Sequence, residues 1–360
     1  MKRSYTGRLA FLMALLLSLT MVLAACGQSE ESAPAEEPAE AEETAEVPTV
    51  SGTVKTDIDM TGYEAGKVVR VWVPVGQQNE DQEVEEAVID AGDAKAEITT
   101  DANGNKMAYI EWAADADPAS RKASVSFHAK RSEIKIAPED MKEEGEVGDD
   151  MAEYLAGSKM VVVDGVVKEQ ADEITANETT VLGKARAIYD WIYENFERDN
   201  DVVGCGQGDV CDLLVTRRGK CTDINSVFVA LCRASGIPAR EMFGIRMNDA
   251  DITGNQHCWA QFYLPGTGWV YADPADVLKA VLTNEWEKTD AEALETKEYY
   301  WGGVDEKRVE LSRGRDLTLS PAQDAGDLYD FGYPYAEVDG EVVDFYHPAD
   351  FVYTISFTED

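Results

Sequence analysis

Basic residues and histidines are scarce in this chain of 360 residues. Lysine and arginine together number 32 against 70 aspartates and glutamates, which gives a formal net charge of −38. A chain so rich in negative charge repels polyanions, so nucleic acid, an anionic membrane surface and an acidic polymer are poor partners. The histidines number only three, His128, His257 and His347, so few side chains compete for the role of a general base.

Long apolar runs are also lacking, with one exception at the N-terminus. Three basic residues precede an apolar stretch from Leu9, which ends in Leu23-Ala24-Ala25-Cys26, the pattern of a bacterial lipobox. The run is short for a spanning helix and ends in small residues before a cysteine. It therefore predicts a lipoprotein signal peptide, residues 1–25, rather than a transmembrane segment. We expect lipidation at Cys26, and with it an extracytoplasmic protein anchored to the cell membrane, at the cell surface or in the periplasm.

Cys221 opens a segment that has the pattern of a reactive thiol at the start of a helix. Apolar residues at positions 224, 227, 228 and 231 repeat at i, i+3, i+4 and i+7, and Gly236 follows as a stop signal. This spacing predicts an amphipathic helix with Cys221 at its N-terminus. The unpaired N–H groups and the dipole of such a helix lower the pKa of a thiol, and they can also hold an oxyanion.

His257 and Asp273 provide two further groups that acyl transfer by a thiol requires. His257 begins a strand-like run of alternating residues, and a Pro-Gly-Thr-Gly turn separates this run from a second strand that ends at Asp273. If Leu264 pairs with Val270, Asp273 falls opposite Gln261, on the face of His257 but four residues away. The register is therefore left open. Together with Cys221, the two residues make a nucleophile, a base and a group that orients the base.

The block from about Lys184 to Lys279 resembles the transglutaminase-like domain, a circularly rearranged relative of papain-type cysteine proteases. The resemblance rests on Gly-Lys-Cys at 219–221, Ala-Ser-Gly-Ile-Pro-Ala-Arg at 234–240, His-Cys-Trp at 257–259 and Gly-Trp-Val-Tyr-Ala-Asp-Pro at 268–274. It implies an α+β fold with a papain/transglutaminase-like catalytic domain, in which Cys221 is the nucleophile, His257 the general base and Asp273 its orienter. The runs Gly-Cys-Gly-Gln-Gly-Asp-Val, Gln-His-Cys and Ala-Asp-Pro-Ala-Asp-Val also resemble a bacterial branch of extracytoplasmic members.

The side chain that assists the oxyanion is less clear from the sequence. Papain relatives place a glutamine six residues before the nucleophile, where this chain has Val215. We consider Gln207, Gln256 and Trp191 as candidate donors, and the sequence does not rank them. For Trp191, which falls in a predicted helix, a place in the hydrophobic core is the better interpretation.

The remainder of the chain divides by composition. A stretch with eight glutamates and no basic residue follows the signal peptide and predicts a disordered tether. Beyond it lie too many residues for one ordinary core. Strand-like runs at 68–74, 96–100, 107–112 and 123–129 predict an N-terminal β-sandwich, a spacer or a wall of the substrate site. The expected organisation is a tether at 26–50, a β-sandwich at 51–137, an acidic linker at 138–150, the catalytic domain at 151–298 and a β-rich C-terminal extension of the catalytic domain at 299–360.

Four cysteines remain beside the lipidation site and the nucleophile. Cys232 falls near the apolar stripe of the predicted helix and is most simply a core residue. Outside the cytoplasm a disulfide is the ordinary expectation, so Cys205 could pair with Cys211 or with Cys258. The branch resemblance favours proximity of Cys205 to Cys258. Cys205 could instead resolve an oxidised Cys221. Because no spacing supplies a fourth ligand for zinc, we predict neither a metal nor another cofactor.

These observations predict a membrane-anchored cysteine enzyme that attacks a glutamine carboxamide or a peptide bond. The expected partner is a protein or peptide substrate, with cell-wall peptides among the candidates, and nucleic acid is not expected. We favour hydrolysis over transfer to an amine, because a transferase also needs a shielded site for its second substrate. The alternative from another class is a non-catalytic binding or scaffold lipoprotein of the cell envelope that keeps the same fold.

Overall fold

The computed structural model describes residues 46–360. The predicted signal peptide, the lipidation site at Cys26 and nearly all of the tether lie outside the described residues. Within 46–360, no helix combines the length and the apolar character needed to cross a membrane.

Six helices and eighteen strands follow one another along the described chain. The helices are α1 (Val166–Ile174), α2 (Val181–Asn195), α3 (Val210–Thr216), α4 (Cys221–Ala234), α5 (Pro274–Thr283) and α6 (Ala291–Tyr299). The strands are β1 (Thr49–Asp59), β2 (Val69–Pro74), β3 (Gln82–Val84), β4 (Val88–Asp90), β5 (Lys95–Thr100), β6 (Lys106–Trp112), β7 (Lys122–Ser132), β8 (Ile134–Lys135), β9 (Glu197–Arg198), β10 (Arg218–Gly219), β11 (Ala239–Arg246), β12 (Gln256–Leu264), β13 (Gly268–Ala272), β14 (Gly303–Val304), β15 (Arg308–Arg313), β16 (Tyr335–Val338), β17 (Glu341–Val342) and β18 (Val352–Glu359).

The predicted N-terminal β-sandwich is confirmed as two antiparallel sheets. One has the order β18-β1-β7-β3, with β4 also pairing with β7, and the other has the order β17-β16-β2-β6-β5. Strands β1 and β7 alternate buried and exposed residues, as expected when one face of a sheet packs on a core. That core includes Val54, Val71, Ile110 and Phe127, which come from both sheets. The strands predicted from the sequence correspond to β2, β5, β6 and β7.

The catalytic region is an antiparallel sheet with helices packed against it. The sheet has the order β13-β12-β11-β15, and α4 packs on β12 and β11. Phe228 of α4 lies edge-on to Phe262 of β12, and Phe262 in turn stacks on Trp301 with ring centroids 5.1 Å apart. This aromatic packing fixes the helix that begins at Cys221 against the strand that contains His257.

The C-terminal region departs from its predicted place. We expected residues 299–360 to extend the catalytic domain, but only β15 joins the catalytic sheet, and β14 pairs with β8. The later strands pair with N-terminal ones, β16 with β2 and β18 with β1. The reason is that the two sandwich sheets would otherwise leave the edges of β1 and β2 unpaired, which costs backbone hydrogen bonds. The domain boundaries themselves remain a prediction.

The segment predicted as an acidic linker at 138–150 is fixed to the catalytic region. Met141 is buried, and the Glu143 carboxylate accepts hydrogen bonds of 3.0 Å from the N–H groups of Val181 and Leu182. Those N–H groups belong to the first turn of α2, where a carboxylate satisfies unpaired donors and complements the helix dipole. Glu143, one of the acidic residues that suggested a solvated linker, therefore caps α2.

Candidate active site

Cys221 lies at the first position of α4, as the sequence predicts, but the helix is more deeply buried than an amphipathic pattern implies. Every residue of α4 except Arg233 is buried, and Cys221 itself is only 2% exposed. The polar residues of the first turns, including Asp223 and Ser226, therefore lie in the interior. A buried polar group is stable only when it is hydrogen-bonded, so this face of the helix has to meet polar partners.

Asp223 binds the glycine-rich loop that precedes the nucleophile. Its carboxylate accepts hydrogen bonds from the N–H groups of Lys220 (3.0 Å), Gln207 (3.1 Å) and Gly208 (2.9 Å). Gly206 has a φ of +91°, and a Cβ at that position would collide with the Asp223 carboxylate. Glycine is therefore required for the loop to approach the helix so closely. Sequence reasoning missed Asp223, because its contacts connect residues far apart in the sequence.

A second buried pair holds the other side of the loop. The Glu241 carboxylate accepts hydrogen bonds from Ser226 Oγ (2.6 Å) and from Arg315 Nε (2.7 Å), and Arg315 Nη1 donates to the Gln207 carbonyl at 3.1 Å. Arg315 belongs to the C-terminal region, so residues about ninety positions apart fix the loop next to Cys221. A paired and fully hydrogen-bonded charge of this kind restricts its surroundings to one arrangement.

The structure places His257 and Asp273 together beside the thiol. His257 Nε2 lies 2.7 Å from Asp273 Oδ2, and both side chains are buried. The observed register pairs Leu264 with Gly268, a shift of two residues from the register considered above. Because the shift is even, Asp273 keeps its orientation toward the face of His257. Cys221 and His257 line the same cleft, and the imidazole contributes to lowering the pKa of the Cys221 thiol.

Asp273 is also the N-cap of α5. Its Oδ1 accepts a hydrogen bond from the Asp276 N–H at 3.0 Å and a second one from Asn225 Nδ2 at 3.2 Å. The other oxygen, Oδ2, faces His257 and also accepts from Arg308 Nη1. The carboxylate is therefore fixed from both sides, and the imidazole can adopt only one orientation against it.

Two arginines neutralise the carboxylates around His257. Arg308, which is completely buried, contacts Asp273 and, at 2.7 Å, Asp276. Arg246 contacts Asp276 at 2.5 Å. His257, Asp273 and Asp276 offer ligand atoms within 4.8 Å of one another, which is a spacing suited to a metal ion. The two guanidinium groups already occupy these carboxylates, so the arrangement is that of an ion-pair network rather than a cation cage.

The site shifts the pKa values of the thiol and the imidazole in opposite directions. The pKa of Cys221 lies well below its ordinary value. Hydrogen bonds with Cys205 and Cys258 lower it most, burial raises it, and the His257 side chain lowers it further. Burial and the charge of Arg246 disfavour the imidazolium, but nearby carboxylates outweigh both and raise the pKa of His257. At a pH between the lowered pKa of Cys221 and the raised pKa of His257, the thiolate–imidazolium pair is the favoured form.

All five cysteines of the described residues are free thiols. Cys205 and Cys258 flank Cys221, which brings these two predicted partners together, whereas Cys211 is exposed on α3. Interaction with Cys221 and burial raise the pKa values of Cys205 and Cys258 well above the ordinary range. In the structure Cys205 Sγ donates to the Gln256 carbonyl at 3.4 Å and accepts a hydrogen bond from the Tyr333 hydroxyl at 3.1 Å. Cys232 is fully buried in the core, as predicted.

A cleft of about 480 Å³ opens in front of the nucleophile. Cys221, His257 and Gln256 line it, and the Gln256 Nε2 atom is buried without a hydrogen-bond acceptor among residues 46–360. Of the three side chains considered for the oxyanion, Gln256 alone is found in this lining. Trp191 packs on the core and stacks under Arg217 instead.

The paired pKa shifts predict a reactive thiol at acidic pH. Iodoacetamide should alkylate Cys221 at pH 6 at least about tenfold faster than Cys211, because an ordinary thiol with a pKa near 8.5 is almost entirely protonated there. In the His257→Gln variant this advantage should disappear and the rate should rise only toward alkaline pH. Peptide mass spectrometry after timed labelling measures both cysteines in one sample. Equal rates at Cys221 and Cys211 across the pH range would contradict the ion pair.

Comparisons with known proteins give the family of the chain. A family model described as the transglutaminase-like superfamily matches residues 168–274, the range that contains Cys221, His257 and Asp273. An uncharacterized protein of Haemophilus influenzae is 37% identical in an alignment of 310 positions that covers 79% of this chain and 84% of the relative. The uncharacterized protein YebA of Bacillus subtilis is 28% identical in an alignment of 125 positions that covers 30% of this chain and 17% of YebA.

A solved structure extends the likeness over most of the fold. A candidate cysteine protease from Cytophaga hutchinsonii matches with a TM-score of 0.51 and 18% identity, over 86% of this chain and 98% of that chain. At this identity the likeness concerns the fold alone. Taken with the family model and with the relative from Haemophilus, it shows that the chain belongs to the transglutaminase-like superfamily.

Proposed function

We propose that the protein is a cysteine hydrolase that cleaves an amide, either a peptide bond or a glutamine carboxamide, through Cys221, His257 and Asp273. The observation that carries the proposal is the buried His257–Asp273 hydrogen bond of 2.7 Å beside a thiol at the N-terminus of α4. Acyl transfer requires a nucleophile, a base close to it and a fixed group that orients the base, and Cys221 and His257 line the same cleft.

The reaction proceeds in two halves. Cys221 Sγ, as thiolate, attacks the carbonyl carbon of the amide, and the imidazolium of His257 gives its proton to the leaving amine. A thioester with Cys221 remains. Water then attacks the thioester carbonyl, His257 takes a proton from that water, and the carboxylic acid leaves as the thiolate is restored. Asp273, which contacts Arg308, holds the imidazole in one orientation through both halves.

Two donors are available for the oxyanion that forms during each attack. Among residues 46–360 the Cys221 N–H has no acceptor, whereas the next N–H, of Thr222, donates to the Cys205 carbonyl at 3.0 Å. The second donor is Gln256 Nε2, which is buried without a partner in the wall of the cleft. Unused donors that point to the site of a developing negative charge stabilise the transition state more than the ground state.

The shape of the cleft favours water as the acceptor of the acyl group. The lining includes the exposed residues Lys279, Tyr346 and Pro348, so the cleft that leads to the buried thiol is open to solvent. Transfer to an amine in water requires that the acyl-enzyme be shielded from hydrolysis. An open cleft does not provide that shielding.

We further propose that a lipid on Cys26 anchors the enzyme on the outer side of the cell membrane. The support is the lipobox pattern Leu-Ala-Ala-Cys after a basic start and an apolar run. An acidic tether follows it, and a tether of this kind separates a folded enzyme from a membrane surface. Protein or cell-wall peptides would then be the substrates within reach.

Removal of the nucleophile should abolish turnover without unfolding the protein. Cys221→Ala is expected to lower hydrolysis by at least about a thousandfold, in line with the loss of a catalytic nucleophile. Cys232→Ala is the matched control, because it removes a buried thiol from the same helix away from the cleft. Mass spectrometry of a mixture of glutamine-containing peptides and cell-wall peptides measures cleavage and deamidation. Turnover that survives in Cys221→Ala contradicts the proposal.

The choice between water and an amine can be measured on the same substrates. With a peptide that the enzyme turns over, an added excess of a primary amine such as methylamine should leave the free acid as the main product. A transferase would instead release mostly the methylamide, which mass spectrometry distinguishes from the acid. A predominance of the methylamide would refute hydrolysis while leaving the thiol mechanism in place.

Replacement of the lipidation site should release the protein from the membrane. Cys26→Ser is expected to move most of the protein from the membrane fraction to the soluble extracytoplasmic fraction, because one or more acyl chains provide the anchor. Cys211→Ser, which changes an exposed cysteine of the folded region, should leave the distribution as it is. Fractionation followed by immunoblotting measures both variants, and membrane retention of Cys26→Ser would argue against a lipid anchor.

A further inference from the structure

The active-site cleft has a charge opposite to that of the chain. Its lining contains four basic side chains, Arg198, Lys220, Arg246 and Lys279, and no aspartate or glutamate. The chain as a whole has more than two acidic residues for each basic one, 70 against 32. The cleft is therefore basic although the chain as a whole is strongly acidic, and the net charge does not reveal this local difference.

Three of these four charges are not used by the protein itself. Arg246 is engaged with Asp276 at 2.5 Å. Within residues 46–360, however, Arg198, Lys220 and Lys279 take part in no ion pair. Arg198 donates from Nε to Asn200 at 3.1 Å, while its Nη1 is buried without an acceptor. A buried guanidinium nitrogen without a partner is costly, so it favours an anionic or carbonyl ligand that would supply the missing acceptor.

The uncompensated charges surround the approach to the nucleophile. Lys220 directly precedes Cys221, and Arg198 lies on β9, whose backbone pairs with Gly219 of β10. Lys279 lies on α5, the helix that Asp273 caps. Burial, followed by repulsion from Arg246, lowers the pKa of Lys279, which is consistent with a positive potential in this wall. The charges thus come from β9, from the N-cap of α4 and from α5, of which the last is capped by Asp273.

The lining of the cleft is also rich in aromatic side chains. The C-terminal region contributes Tyr333, Phe345, Tyr346, Phe351 and Tyr353. A lining that combines basic and aromatic side chains suits a ligand that has both an acidic group and an apolar or planar surface. Peptides offer both, and a peptide amide is also the bond that the thiol mechanism attacks.

We propose that the substrate is an acidic peptide, with a carboxylate near the scissile amide that binds to Arg198, Lys220 and Lys279. This inference rests on the proposed function, since it names the class of acyl donor for the same site. Charge-assisted hydrogen bonds from several cations would orient the carboxylate, and with it the carbonyl carbon, toward Cys221.

Two alkylating reagents that differ in charge test the proposal without knowledge of the natural substrate. Iodoacetate and iodoacetamide have the same reactive carbon, but only iodoacetate has a carboxylate. In the full protein the iodoacetate-to-iodoacetamide rate ratio should be several-fold higher at Cys221 than at the exposed Cys211. Lys279→Gln and Arg198→Gln should each lower the ratio at Cys221 by about threefold, the size expected for one partly exposed charge. High salt should lower it as well.

Lys106→Gln is the matched control, because it removes an exposed lysine of β6 in the sandwich. It should leave the ratio unchanged at both cysteines. His257 is present in every variant, so the contribution of its imidazolium to the rate ratio cancels when the variants are compared. The proposal is overturned if the ratio at Cys221 does not respond to Lys279→Gln or to Arg198→Gln.

A peptide pair then separates this proposal from the proposed function. Peptides that differ only in glutamate or glutamine beside the scissile amide should differ in kcat/KM in favour of glutamate, mainly through KM, and Lys279→Gln should reduce the difference. Equal turnover of both would refute the acidic substrate and leave the hydrolase intact. Loss of low-pH labelling at Cys221 would instead refute the hydrolase. Protection of Cys221 by anionic lipid vesicles, with no protection by acidic peptides, would overturn the peptide assignment.

Discussion

The Asp273 carboxylate is the contact on which the site depends. Its two oxygens connect His257 of β12, Asn225 of α4, Arg308 of β15 and the first turn of α5. Taking this charge out of water is expensive, and only the guanidinium of Arg308 together with several hydrogen bonds offsets the cost. Removing one partner would leave the others buried and uncompensated. Four elements are therefore held in register by one side chain, and the orientation of the imidazole follows from that register.

This constraint explains why the site needs the whole fold rather than a local motif. Arg308 enters from a strand that follows the catalytic residues in sequence, and Arg315, just beyond it, fixes the glycine-rich loop through Glu241. Val309 and Leu311, which follow Arg308 on β15, belong to the core of the sandwich. One strand thus contributes Arg308 to the ion pairs around His257 and two apolar residues to the other core. The sandwich and the predicted catalytic region form one compact unit because they share β15.

Much of this site could be predicted from the sequence because its signals are local. The start of the helix at Cys221 follows from apolar spacing, and the hairpin between His257 and Asp273 follows from alternation and a turn. The observed register differs by two residues from the one considered. The face predicted for Asp273 is still correct, because side chains in a strand return to the same face every second residue. The roles of Asp223, Arg308 and Arg315 could not be predicted, since each depends on residues distant in sequence. Similarly, only the folded cleft distinguishes Gln256 from Gln207 and Trp191.

Net charge does not describe the lining of the cleft, for a related reason. It excludes polyanions as partners of the surface as a whole, but fields between exposed charges decay over about 10 Å in salt, so a cleft responds to its own lining. In this protein the lining combines basic side chains of the catalytic region with aromatic side chains that precede and follow β17. Those aromatic residues are held by β16 and β18, which pair with β2 and β1 of the sandwich. The sandwich is therefore more than a spacer. It positions the aromatic part of the lining, so a change in the sandwich edge would alter the shape of the cleft without touching Cys221, His257 or Asp273.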